Sequence, residues 1–494
     1  MSQRVHIDAA VGTPLRDRLF ELGVEFPCGG TLLCGSCRIR VVEGEVPVTD
    51  EMRAALSEDE IGGGWRLGCF AVAQGPVTVE VEQWSAPVLV GHETLEAEPR
   101  EGLGIAIDLG TTTLAAQLVD LTNGEVAATA TALNPQARHG ADLMSRIGFD
   151  KAQPGILRGL IREQLGTMVR NLAGGRRIEE ILLCGNTAMH HLFCGLSVDA
   201  LAEAPFRTLF LDARTHSARE LGWDAEIPGG VTFLPNIGGF VGSDILAGLI
   251  ACGLSQAGPV AAFADLGTNG EVALGSSRGI VCASTAAGPA FEAGRIRMGM
   301  RAGAGAIDRV EWRGAALHCD VIGGGAARGL CGSGLVDAVA ALAEAGWLLP
   351  SGRLSGGAKE VELASGVVLA QADIRELQLA KGAIAAGALL LRKRLGVDAP
   401  ARFHLAGAFG NYVRAESAKR IGLLPQDSEV VPEGNAALRG TRLLLLRPAS
   451  RGSLIQETLD RTEHIELGGE AEFQDAFAVC MRLAPLAWND LDEM

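Results

Sequence analysis

An α/β protein preceded by a small α+β domain is what three features of the sequence predict. The first 85 residues are short alternating segments around one helix-like stretch, and they hold four closely spaced cysteines. An Asp-Leu-Gly-Thr segment occurs twice in the remainder, starting at Asp108 and at Asp265. Around both copies, strand-like runs alternate with helical ones such as ILLCGNTAMHHLF and IRELQLAKGAIAAGALLLRKRLG, which is the pattern of α/β architecture.

In the first 85 residues RVHIDAA alternates with the period of a strand. TPLRDRLFELG predicts a short helix, with Thr13 as N-cap, Pro14 at the first helical position and Gly23 just past the end. CRIRVVEGEV and VTVEVEQW return to alternation, and this order matches a β-grasp fold. Residues 86–101 are rich in Glu and Pro without a period and read as a linker. The two Asp-Leu-Gly-Thr copies sit in similar segments, Gly104 to Val126 and Ala261 to Val281. Each has an apolar strand, a turn of small residues and a second, alternating strand. The repeat divides the large part into two related halves that face each other, 102–258 and 259–494.

Composition narrows the classes. At 494 residues, 48% hydrophobic and 21% charged, the chain has the core of two to four globular domains. A net charge of -16 argues against nucleic acid or an anionic membrane as the main partner. The acidity is concentrated: 7 arginines, no lysine and 13 acidic residues leave -6 on residues 1–85. Such a domain suits docking on a basic partner, although solubility alone also explains it. The longest apolar run, Ile245 to Leu254, is too short to span a bilayer, and MSQRVHIDAA has no signal core. The expectation is a soluble, cytoplasmic protein. The 11 cysteines are an odd number in a large chain, which argues against a disulfide scaffold.

The spacing Cys28-x5-Cys34-x2-Cys37, with Cys69 further on, supplies four thiolates on a Gly-rich loop and one distant turn. That set can hold two irons and two sulfides. Gly29, Gly30 and Gly35 let backbone N–H groups approach the sulfurs. Zinc is the rival ligand, but zinc sites usually pair two C-x2-C knuckles and only one is present. The segment resembles plant-type [2Fe–2S] ferredoxins, with the x5 spacing nearer that of adrenodoxin-like members.

Each Asp-Leu-Gly-Thr turn, with Gly110 and Gly267, can aim backbone N–H groups at phosphate oxygens. Thr111, Thr112, Thr113, Thr268 and Asn269 add side-chain donors. Asp108 and Asp265 end their strands at the turns, where carboxylates can hold Mg2+ through its waters. A third segment, FHLAGAFGNYV, places Gly407 and Gly410 after a strand, where a flat base can slide against the backbone. These three segments in this order resemble the phosphate and adenosine motifs of the superfamily of acetate and sugar kinases, heat-shock chaperones and actin. The resemblance implies a two-lobed, actin-like or sugar-kinase-like ATPase domain that binds ATP between its halves.

Further segments are distinctive: ADLMSRIG, LLCGNTAMHHLFCG, LPNIGGFVGSD, CASTAAGPAFEAGRI, GLCGSGLVDAVAAL and QADIRELQLAKGAI. With these, nearly the whole chain resembles the reductive activators of corrinoid proteins. That resemblance implies ATP-dependent return of an inactive Co(II) corrinoid to Co(I) on a methyltransferase partner. It also implies an upstream reductase as electron donor and a homodimer. Some members carry an extra middle domain after the ferredoxin, where this chain has only the short linker. Others carry C-terminal [4Fe–4S] clusters, whereas this C-terminus has only Cys480, leaving the N-terminal cluster as the relay.

Other residues admit two readings. Asp244 follows a Gly-rich loop and either positions Mg2+ or the attacking water, or caps the helix that starts there. Glu271 either faces the phosphates or sits on a hairpin surface. His190 and His191 read as a packed helix face, Cys331 as a buried thiol, and Met298 and Met300 as packing. Other function classes remain open. A small-molecule kinase fused to a ferredoxin would need a substrate pocket with a base, and no segment names one. A binding module with a degenerate nucleotide fold would not hydrolyse ATP. An activator of another low-potential redox enzyme, such as a hydroxyacyl-CoA dehydratase, shares one [4Fe–4S] cluster across a dimer, which a complete four-cysteine ferredoxin motif argues against.

Overall fold

The computed structural model describes residues 2–24, 26, 37–82, 91, 93–140, 142–204, 206–256, 258–267 and 269–486. Cys28, Cys34 and Thr268 lie outside the described residues, as does part of the linker. The chain forms two compact units. One comprises Met1–Pro87, Pro289–Ala380 and Glu416–Ile421, and the other Val88–Gly288, Lys381–Ala415 and Gly422–Met494.

In the first unit, a four-stranded sheet runs in the order Ser2–Ile7, Val77–Glu82, Arg38–Glu43, Trp65–Leu67. Val77, Val79 and Val81 alternate along their strand and all fall in the core, as a half-buried strand requires. The helix Arg16–Glu21 buries Leu19 and Phe20, with Leu19 against Gly68. Each such fully buried side chain contributes roughly 1.5–3 kcal/mol. The helix begins later than the sequence suggests. Thr13 and Pro14 finish a strand, Val11–Pro14, which pairs with Val72–Gln74, and Leu15 is the N-cap without a side-chain hydrogen bond. Proline is tolerated where a strand ends, and here long-range pairing outweighs its preference for a helix start. Gly23 does follow the helix, at φ +87°, where its N–H donates to the Phe20 carbonyl.

The second unit contains two six-stranded sheets built alike. In one, Leu103–Leu109, Thr113–Asp120 and Val126–Leu133 form an antiparallel meander. Ile178–Gly185 and then Val231–Phe233 extend it in parallel from the first strand's other edge. In the other, Ala261–Leu266, Gly270–Ser276 and Gly279–Thr285 form the meander, and Arg402–Ala406 and Glu429–Gly434 extend it in parallel. The short repeat read from two Asp-Leu-Gly-Thr copies is therefore a repeat of five strands, the sixth, Arg214–His216 or Thr462–His464, joining opposite edges of the two sheets.

Two helices pass between the sheets. Ser243–Ala251 sends Leu246 and Ala247 toward the first sheet, where they pack with Ala106, Ala115 and Leu182. It sends Ile245 and Leu249 toward Phe263 and Ala273 of the second. Ala436–Leu446 crosses it, and a β-carbon on Gly440 would collide with the Ala247 backbone carbonyl. The first sheet's other face carries the helices Leu143–Ala152, Ile156–Ala173 and Thr187–Cys194. Covered faces explain why Thr113–Asp120 and Gly270–Ser276 are buried almost throughout, where alternation suggested one wet face.

Candidate cluster and nucleotide sites

The strands Arg38–Glu43 and Trp65–Leu67 pair with Arg38 opposite Leu67. That register sets Cys37, just before one strand, beside Cys69, in the tight turn Gly68–Phe70 after the other. Their sulfurs are 3.3 Å apart. This exceeds a disulfide bond and falls near the ~3.8 Å spanned by two metal–sulfur bonds at a tetrahedral angle. The Gly68 N–H donates to the Cys37 carbonyl at 2.7 Å, and a β-carbon on Gly68 would press on Leu19 and on that carbonyl. The two described cysteines thus have a spacing that fits an iron–sulfur centre.

In the second unit, Asp108 and Asp265 occupy equivalent places in the two sheets. Asp108 lies beside Cys184 and Asp265 beside Ala406, each on the parallel neighbour. The first turn is held from several sides. Asn134 Nδ2 donates to the Gly110 carbonyl at 2.9 Å, and its backbone N–H to the Thr112 carbonyl at 2.8 Å. Arg146, buried, donates to the Thr111 carbonyl at 2.6 Å and to the Gly140 carbonyl at 3.0 Å. Asn186 Nδ2 donates to Thr111 Oγ1 at 2.9 Å. Gly110 is required because the Thr113 carbonyl would lie 2.5 Å from a β-carbon there. The second turn is closed by the Gly267 N–H donating to the Asn269 carbonyl at 3.1 Å.

The third motif meets the second turn. Gly407 has φ +85°, and a β-carbon on it would sit 2.6 Å from Asp265 Oδ1. Gly410 packs on Leu405 at the end of the short helix Gly407–Gly410. A bare, glycine-lined edge beside a carboxylate is a cradle that a nucleotide fits.

Carboxylates converge here. Asp244 is not the helix cap: Gly242 is, and Asp244 Oδ1 accepts from the Ile245 N–H at 2.8 Å. Burial, then repulsion from Asp265 and Asp108, push the Asp244 carboxyl up to about 8. Burial raises Asp108 to about 6, against hydrogen bonds from Asn435 (2.8 Å) and the Cys184 thiol (3.9 Å). Glu271 is no surface residue: it is 7% exposed and accepts from Ser284 at 3.2 Å. Burial, then repulsion from Asp244 and Asp265, push it well above the usual carboxylate range. Asp108, Asp244 and Glu271, their proton affinity raised, lie with Asp265 as the oxygen donor set a hard divalent cation suits.

Sequence reasoning missed Asn134, Arg146, Asn186 and Asn435. Gly-Asn ahead of a helical run, at Gly185 and Gly434, was the available signal. His190 and His191 are buried, as a packed pair should be. His191 reaches the Ser197 carbonyl and Thr208, and burial holds His190 down to about 3. Cys331 is buried, with its thiol on the Ile307 carbonyl. Met298 and Met300 pack near Val368 and Gly329. Ligand atoms of Cys252, His404 and Glu433 lie within 4.8 Å of one another. Arg439 already holds Glu433 and Cys252, and His404 pairs with Glu433 at 2.6 Å. A resident guanidinium makes this an ion-pair network rather than a metal centre. Among the described residues, no helix is long and apolar enough to cross a membrane.

Paired thiols in one region and two facing, glycine-lined acidic turns in another define a class, the iron–sulfur electron carrier fused to a nucleotide-binding ATPase fold. Family profiles agree. A 2Fe-2S iron-sulfur cluster binding domain matches residues 1–74, the RACo middle region 103–257, and the C-terminal domain of RACo, described as the ASKHA domain, 260–492. The corrinoid activation enzyme RamQ of Eubacterium limosum is 34% identical over 414 residues, 76% of this chain and 69% of that protein. The [Co(II) methylated amine-specific corrinoid protein] reductase of Methanosarcina barkeri is 29% identical over 423 residues, 76% of each chain. A solved reductive activator for corrinoid, iron–sulfur protein superposes with a TM-score of 0.69 at 26% identity, covering 99% of this chain and 98% of that one. The chain belongs to the RACo family.

Proposed function

We propose that this chain is an ATP-dependent redox activator of a corrinoid protein, moving one electron from a [2Fe–2S] cluster to a Co(II) corrinoid and restoring Co(I) for methyl transfer. The observation that supports it most is the 34% identity, over three quarters of the chain, to a corrinoid activation enzyme. Cys28, Cys34, Cys37 and Cys69 hold the cluster, which supplies a one-electron carrier of low potential. A separate reductase loads it. The division into 1–85, the linker 86–101, and halves 102–258 and 259–494 gives carrier and motor their own segments. The setting is the cytoplasm, and a homodimer is the assembly the family resemblance implies.

Asp108 and Asp265 hold Mg2+, whose bound form neutralises phosphate charge during transfer. Gly110, Thr111, Thr112 and Thr113 grip phosphate from one half, and Gly267, Thr268 and Asn269 from the other. Gly407 and Gly410 leave room for the base. Asp244, with its raised proton affinity, accepts the proton of the attacking water. Plant-type clusters sit near about -400 mV. The family resemblance implies an acceptor couple lower still, and each ~59 mV uphill costs tenfold in the equilibrium constant. ATP-driven closure of the halves helps only if it grips the partner differently in the two states.

The test is reconstitution with the corrinoid protein. Co(I) should appear only with reductant and ATP together, and the partner should stimulate hydrolysis. Equal Co(I) without ATP at matched potential refutes the coupling. ATP-dependent phosphorylation of a sugar or acyl acid instead would favour the kinase reading.

A further inference from the structure

Asn186 and Asn435, like Asn134 before the turn Pro135–Arg138, cap with Oδ1 and donate with Nδ2. Asn186 caps the helix Thr187–Cys194 through Oδ1, which accepts from the Met189 N–H at 2.9 Å, and its Nδ2 reaches Thr111 Oγ1. Asn435 caps Ala436–Leu446 through Oδ1, which accepts from the Leu438 N–H at 2.7 Å, and its Nδ2 donates to Asp108 Oδ2 at 2.8 Å. As caps, Ser and Asp are as good as Asn. Neither can cap with an oxygen and also present an N–H to a carboxylate. At position 435 the choice of Asn is therefore explained by its second bond.

Asn435 also joins three parts of the unit. It follows the strand Glu429–Gly434 of the second sheet and opens a helix that packs against Ser243–Ala251. It grips a carboxylate of the first sheet. Among the described residues, the other Asp108 oxygen meets the Cys184 thiol, a weak donor at 3.9 Å. One strong bond therefore sets the carboxylate's rotation.

We infer that Asn435 is a positioning residue that fixes the orientation of the Asp108 carboxylate and ties it to the helix Ala436–Leu446. This rests on the reading of Asp108 as a carboxylate that holds the nucleotide's cation. A hydrogen bond to an ionised group lost without loss of the cap predicts roughly a 10- to 100-fold effect.

The experiment uses the full chain, purified anaerobically, as parent, Asn435→Ser, Asn435→Ala and Asp108→Ala. Mn2+ affinity in the presence of ATP is read by electron paramagnetic resonance, and melting of the nucleotide-free chain by calorimetry. Asn435→Ser keeps the cap, so it should melt near the parent yet bind Mn2+ about 10- to 100-fold more weakly. Asn435→Ala should lose affinity equally and melt lower as well. Parental Mn2+ affinity in Asn435→Ser overturns the inference. So does an affinity loss that tracks the melting loss across the two variants, because that is the behaviour of a cap alone. If Asp108→Ala binds Mn2+ like the parent, it is the assignment of Asp108 that fails.

Discussion

The two Asp-Leu-Gly-Thr turns begin with the same residues and are finished by opposite chemistry. Around Thr111 the neighbours are donors: Asn134, Asn186 and the buried Arg146 tie the backbone down. Around Asp265 the neighbours are acids: Glu271 and Asp244, both pushed to high proton affinity. The first turn is finished before any ligand arrives. The second carries a repulsion that a cation or a proton relieves. A duplicated fold has thus yielded a prebuilt grip and a charge trap.

The largest expected effect is on chemistry. Asp108→Ala and Asp265→Ala should each lower ATP hydrolysis by about two orders of magnitude or more, since phosphoryl transfer depends on charge neutralisation. The cluster's absorbance should not change. Parental rates in both would break the comparison outright.

Next comes stability at the prebuilt turn. Burial lowers Arg146 only to about 10, so it remains a cation at neutral pH. Arg146→Leu strands the Thr111 and Gly140 carbonyls and should cost about 2–3 kcal/mol in denaturant unfolding. A shift below about 0.5 kcal/mol would mean that the turn holds itself.

The charge trap predicts a pH dependence of definite sign. Asp244 rises from an ordinary value near 3.8 to about 8, so between these values the folded chain binds more protons than the unfolded one. Its contribution is full below about pH 4 and is lost as pH climbs through about 8. Asp108 acts likewise up to about pH 6. Without nucleotide or divalent cation, Asp244→Asn should therefore melt higher than the parent at pH 8, with the gap closing toward pH 4. Parallel melting curves across that range would show that burial and repulsion do not raise the proton affinity of Asp244.

The smallest effect concerns delivery of electrons. The -6 on residues 1–85 predicts a reductase encounter that slows as salt rises, because the Debye length shrinks from about 10 Å at 0.1 M to 3 Å at 1 M. Stopped-flow reduction that is equally fast at both would remove charge steering.

What could be read in advance follows from where the constraint lies. Cysteine spacing and the Asp-Leu-Gly-Thr repeat are local demands of cluster and turn geometry, so both were visible, and the repeat revealed a common sheet order. Thr13 and Pro14 misled because a helix-start signal competed with a strand partner, Val72–Gln74, far along the chain. Asn186 and Asn435 were missed, since nothing local tells that one half of each amide caps a helix and the other meets Thr111 or Asp108. Glu271 lies opposite Asp265 in the second meander where Ala115 lies opposite Asp108 in the first, and only the folded surroundings show that this extra acid is buried.

The crossing of Ser243–Ala251 with Ala436–Leu446 sets a dimension. Because Gly440 rests on the Ala247 carbonyl with no space for even a methyl group, the spacing between the sheets is pinned at that point by bare backbone. The gauge of the cleft is thus machined at a distance from it. Gly440→Ala, which in an exposed helix would stabilise by about 1 kcal/mol, should here act as a shim, spreading the two turns without altering any residue that lines them.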